Sequence, residues 1–366
     1  MKKALSRYCL LLFLILSSQS FLGQELIKGR VIDEQTSEAL PFAAVFVVGS
    51  SIGTSTNEKG EFTLKVPYGT IQIGASFIGY NTISSIFETK QLHAKTLTFK
   101  LLAISKELLE VKIEGKHTKQ WLRDYKTFKT EFLGVEVDDK NYEIENRNSI
   151  QFIREENTLI AQCEEPLIII NRKLGYKVIT TLKEFSYKTN GDVSYLGITR
   201  FELLKAEHQN EQERWIKNRR EAYLGSPNHF FKSMINHELE TNKFLVIKDT
   251  LINYRIYDFY DKLSNKAFKL DLDKMISPDS VNHQFFLKLN TPIEIVYEGK
   301  NNFTPNRRYR YMRYEYTSIE PANKEMKYLS KQGELFPPQS LKFSGSMGNY
   351  RIGLALPSDY ELDEKE

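Results

Sequence analysis

Only two cysteines occur in the 366 residues, and the first, Cys9, sits in an N-terminal stretch that reads as removable. Cys163 is then alone, so no intramolecular disulfide can form and stability has to come from packed cores. Long apolar runs are missing too: Tyr8 to Leu16 is about half of the roughly 20 residues that a membrane-spanning helix needs. No excess of one charge exists, with 51 Lys and Arg facing 47 Asp and Glu. No serine occupies a Gly-x-Ser-x-Gly elbow, since Gly345-Ser346-Met347-Gly348 has the wrong spacing. Phosphate cradles and cofactor motifs are absent, so no cofactor is expected. Glu164 and Glu165 follow Cys163 and raise its thiol pKa instead of activating it. His237 and Glu240 have a spacing that can place two ligands on one helical face, with His283 downstream. Thr241 stands where a zincin carries its second histidine, so the segment reads as a solvated helical end and no metal is expected.

The beginning is informative. Met1 to Arg7 is short and cationic, Tyr8 to Leu16 is apolar, and Ser17 to Ser20 is small and polar. That order is a secretory signal peptide, assigned to residues 1–24 with cleavage between Ser18 and Gln24. No cysteine closes the apolar run, so no lipid anchor is expected. Loss of Lys2, Lys3 and Arg7 leaves a nearly neutral chain, which argues against a nucleic-acid partner. The protein is expected to be exported, periplasmic or outer-membrane-associated.

Residues 25–104 read as strands. Ile27, Gly29 and Val31 share a face, as do Phe62, Leu64 and Val66, and Ile71, Ile73, Ala75 and Phe77. Asn57 to Gly60 and Val66 to Gly69 are turn text. The ordered segments Gly29 to Asp33, Leu40 to Val47, Gly53 to Leu64 and Ser76 to Tyr80 resemble the carboxypeptidase-like regulatory domain, a transthyretin-like sandwich. The resemblance implies about seven strands and a module that accompanies peptidases and envelope receptors without doing chemistry. In many Bacteroidota envelope proteins such a module precedes a receptor barrel. Here 262 residues follow position 104, and 22 strands of about ten residues would consume nearly all of them, so an integral barrel is excluded.

The fold class is therefore mainly β / α+β: an N-terminal seven-stranded β-sandwich over 25–104, then an antiparallel-sheet domain with a helical pair over 105–366. Ser105 to Lys116 reads as a connecting strand and Lys119 to Phe132 as an amphipathic helix. The pair has clear punctuation: Gln209 to Leu224, a terminating Gly225, a capping Ser226 and Pro227 in the next first turn. The segments Pro166 to Asn171, Leu174 to Val178, Trp215 to Arg219 and Ala222 to Ser226 are also similar to uncharacterised second halves found with this module. In the first helix Trp215, Arg219 and Tyr223 are four apart, so Arg219 is expected between two rings, paired with an acidic residue of the sheet. Alternatively Trp215, Arg219, Tyr223 and His229 line a binding groove for an anionic ligand or a partner's carboxylate. The basic aromatic run Arg307 to Tyr316 reads as a sheet strand. The chain reads as a non-enzymatic binding or assembly protein of the bacterial cell envelope with a protein or glycan partner. The alternative is a hydrolase of envelope polymers whose catalytic group is unrecognised.

Overall fold

The computed structural model describes residues 24–93, 95–104, 118–134, 138–248, 270, 272–299 and 315–362. Residues 1–23 of the expected signal peptide, the connecting strand expected over Ser105–Lys116 and the Arg307–Tyr314 part of the basic aromatic run lie outside them.

Seven strands build the N-terminal sandwich: β1 (Gln24–Asp33), β2 (Ala44–Val47), β3 (Gly53–Ser55), β4 (Glu61–Pro67), β5 (Thr70–Ser76), β6 (Ile83–Glu88) and β7 (Thr96–Leu101). One sheet has the order β4-β1-β7, with β1 and β7 parallel, and the other has the order β3-β2-β5-β6. Alternation decides which side faces in: Phe62, Leu64 and Val66 of β4 are buried while their neighbours are exposed. Ile27, Val31, Val45, Phe62, Ile73 and Phe99 belong to one closed core.

The turn text has a physical purpose. Asn57 Oδ1 accepts from the amides of Lys59 and Glu61, each at 2.9 Å, and Gly60 takes φ +72° against the Val31 carbonyl, where a Cβ would lie 2.6 Å from that oxygen. Asp33 accepts from the amides of Gln35 and Thr36 and from the Tyr80 hydroxyl at 2.8 Å. The Thr36 amide bond, with the Tyr80 bond next, holds the Asp33 carboxyl below its ordinary range. Two motifs 47 residues apart are thereby one contact.

The remainder divides into two cores. Helix α1 (Lys119–Leu133) is capped by Thr118, whose side chain accepts from the Trp121 amide. Its buried stripe of Trp121, Phe128 and Phe132 covers a six-stranded antiparallel sheet. That sheet contains β8 (Tyr142–Ile144), β9 (Gln151–Glu155), β10 (Thr158–Gln162), β11 (Leu167–Asn171), β12 (Tyr176–Lys188) and β13 (Val193–Leu203). Its hydrogen-bonded path is β8-β11-β12-β10-β9, and β13 pairs β12.

The helical pair is α2 (Gln209–Tyr223) and α3 (Pro227–Ile235). Gly225 at φ +76° turns the chain, and Ser226 caps α3 by accepting from the His229 amide. The two helices divide between two cores and do not pack as one unit on a single sheet. Ala222 of α2 joins the first core. Phe230, Phe231 and Met234 of α3 centre the second, with two further four-stranded sheets drawn from residues 244–345. Among the described residues all five sheets are open, no helix is long and apolar enough to cross a membrane, and Cys163 carries a free thiol.

Candidate functional site

Where the sandwich meets the six-stranded sheet, the turn after β2 lies along the outer edge of β13. Gly49 donates to the Thr199 carbonyl at 2.7 Å and Phe201 donates to the Ser50 carbonyl at 3.0 Å. The C-terminal segment ties the same turn from the other side. Ser358 donates to the Gly49 carbonyl at 2.9 Å, and the Ser51 amide donates to Asp359 Oδ1 at 2.7 Å. In the turn between β4 and β5, Tyr68 packs edge-on against His283, with ring centroids 5.8 Å apart.

Beside this junction opens a groove of about 1030 Å³ between the β3-β2-β5-β6 sheet and β12–β13. Its walls are mainly apolar side chains that face solvent: Ile78 is 94% exposed, Phe42 70% and Leu203 65%. Phe42 has φ +62°, an uncommon conformation for a bulky residue. Four charged groups line the sheet side, and one of them, Glu165, accepts from Asn146 at 3.1 Å and from the Ser149 hydroxyl. Arg200 stands 5.3 Å over the Phe46 ring and pairs with Glu202 at 3.2 Å. Lys177 is directly across from Glu202 in the β12–β13 register, yet it is half-buried and has no hydrogen-bond or ion-pair partner among the described residues.

The residues singled out from the sequence lie elsewhere, in the packing of α2 on the β11–β12 turn. Three side chains of α2 take up four successive carbonyls of that turn. Trp215 Nε1 donates to Arg172 O at 2.8 Å, Asn218 to Lys173 O at 2.7 Å, and Arg219 to Leu174 O at 2.7 Å and Gly175 O at 3.2 Å. Arg219 lies 4.3 Å over Tyr176, not between the Trp215 and Tyr223 rings, and carbonyls take the place of the expected acidic partner. Trp215 lies against Gly175, where φ is +70° and an added Cβ would come within 2.3 Å of the indole. Trp215, Tyr223 and His229 are buried, at 4%, 7% and 5% exposure. His229 Nδ1 accepts from the Gly225 amide at 3.1 Å and its ring meets Tyr223 and Phe244. The structure brings Trp215 and Arg219 onto one turn and Tyr223 and His229 onto the helix junction.

Other chemistry is sparse. His237 to Glu240 forms a turn beyond α3, with His237 at φ +57°, and not the helical end expected. Among the described residues no group of three or more His, Cys, Asp or Glu could hold a metal ion. Burial pushes the Cys163 thiol up to about 12, and the charges of Glu165 and Glu164 add less. Glu334 is the one carboxyl among the described residues pushed up to about 7, by burial first and then by Asp359, against the hydrogen bonds of Ser358 and Ser330 and the charge of Lys232. It sits against Gly49 in the packed junction and not in the groove. Asp33–Tyr80, Glu334 and the groove itself were missed from the sequence; only the Asp33 and Tyr80 motifs carried a local signal.

Residues 27–113 match the family model of the CarboxypepD_reg-like domain, about a quarter of the chain. The match runs past residue 104, the end of the sandwich text. No curated protein matches the chain. A solved structure that aligns with it is a DUF3823 family protein from Parabacteroides merdae, 12% identical, with 52% of this chain and 83% of that one covered. Its TM-score of 0.16 is too low to support a shared overall fold.

Proposed function

We propose that this chain is an exported, non-enzymatic binding or assembly protein of the bacterial cell envelope, and that the groove between sandwich and β13 holds its protein or glycan partner. The observation that carries the reading is the groove itself. Contiguous exposed apolar side chains such as Phe42, Ile78 and Leu203 are costly to leave in water, and junctions between folded units are where ligand clefts concentrate. The regulatory-like family of residues 27–113 is non-catalytic, which supports the same view. Glu334 is the best candidate for the alternative, a hydrolase, because a carboxyl near neutrality can act as an acid. Glu334 packs against Gly49 and does not line the groove, so the binding reading is preferred.

Photo-crosslinking from Ile78 and Leu203 in intact envelopes tests the proposal. Adducts should form at both positions and not at Lys65, exposed on β4 of the other sheet, and Phe42→Asp should abolish them. Equal labelling from Lys65, or adducts indifferent to Phe42→Asp, would remove the groove as the binding site.

A further inference from the structure

Resting on that reading, we infer that the groove takes an extended polypeptide strand of a partner protein, added to the edge of β3 with a carboxylate set against Lys177. Three observations meet there. First, β3 has a neighbour on one side only, β2. Val47 donates to Ile52 O and Thr56 donates to Ala43 O. By the alternation of an antiparallel ladder, Val45 and Thr54 form the hydrogen-bonded pair between them, so the amides and carbonyls of Gly53 and Ser55 point away from β2. An open edge beside an apolar groove is the geometry of strand addition: main-chain bonds supply affinity and pockets for alternate side chains supply selection.

Second, apolar side chains surround that edge. Phe42 and Ile52 flank it on the sandwich, and Ile168, Ile179 and Leu203 face it from the other sheet. Third, one charged group of the groove is left without a direct contact. Arg200 is engaged by Glu202 and by the Phe46 ring, and Glu165 by Asn146 and Ser149, whereas the ammonium of half-buried Lys177 has no hydrogen-bond or ion-pair partner among the described residues. A cation in such surroundings discriminates strongly in favour of a carboxylate. A glycan would satisfy neither the row of main-chain groups nor the apolar lining so well.

The test uses the purified full-length secreted protein and a labelled hexapeptide of alternating valine and threonine with one central glutamate, together with its glutamine twin. Fluorescence anisotropy should show the glutamate peptide binding about tenfold more tightly than the twin, as a desolvated charge pair allows. Lys177→Met should erase that difference, and Ser55→Pro should weaken both peptides by blocking the outer edge. Phe42→Asp, on an exposed side chain, supplies a second groove variant should Ser55→Pro disturb the fold. Equal binding of the two peptides, or a glutamate preference that survives Lys177→Met, overturns the inference. A concentration-dependent dimer that Phe42→Asp dissolves would identify a second copy as the occupant and overturn it as well. If the envelope crosslinks lead to a glycan while neither peptide binds, strand addition falls and the groove remains the binding site.

Discussion

Replacing Arg219 by methionine measures how much of the fold depends on the carbonyl clamp of α2. The guanidinium donates to Leu174 O at 2.7 Å and Gly175 O at 3.2 Å and covers the Tyr176 ring at 4.3 Å. Leu174 and Tyr176 are almost fully buried. A hydrogen bond from a charged donor is worth about 1.5–3 kcal/mol. The second bond counts for less, because Gly175 O also accepts from the Leu204 amide at 3.0 Å. The lost cation–ring contact adds about 1 kcal/mol, and methionine recovers roughly that much by burying apolar surface. The net expectation is a loss of about 3 kcal/mol, or roughly 6–12 °C in Tm for a unit of this size. Both tryptophans, Trp121 and Trp215, lie outside the sandwich, so tryptophan fluorescence reports this part of the chain in a thermal melt. Arg219→Lys should fall between parent and methionine, since it keeps the charge and loses the planar two-donor fork. A methionine variant melting within about 1 °C of the parent would refute the clamp, and loss of the crosslinked partner in that same variant would make Arg219 a binding residue.

Glu334 sets a pH dependence. Its folded pKa of about 7 lies above the ordinary carboxyl value of 4.5, so the folded state retains a proton that the unfolded state has lost. Stability is greatest below about 4.5 and declines by about 3 kcal/mol as pH rises through 7; in Glu334→Gln, melts between pH 5 and 8 should flatten accordingly. Gly175→Ala should destabilise by about 3 kcal/mol or more in denaturant titrations, because alanine is strained at φ +70° and its Cβ would meet the Trp215 indole. Residues 25–104, expressed alone, should show β-type circular dichroism and a cooperative melt, since their core is closed; a disordered fragment would mean that the sandwich depends on the β13 edge.

Much of the local structure was written in the sequence, because a strand's period, a helix's cap and a turn's glycine are decided by residues close together. Thr118, Gly225, Ser226 and Pro227 mark helix ends through backbone groups that no distant residue needs to supply. Period-two alternation likewise separated Phe62, Leu64 and Val66 from their exposed neighbours. The spacing of Trp215, Arg219 and Tyr223 placed them on one helix, yet it could not name their partners. Arg219 is satisfied by main-chain carbonyls, which every residue carries, so its acceptors leave no mark in side-chain identity. The groove was equally invisible, because Phe42, Ile78, Lys177 and Leu203 come from strands and turns far apart in the chain. Each reads locally as an ordinary strand or turn residue. Only the docking of the sandwich on the β13 edge through Gly49 and Ser50 brings their faces together in one groove, in which Lys177 has no direct ion-pair partner among the described residues.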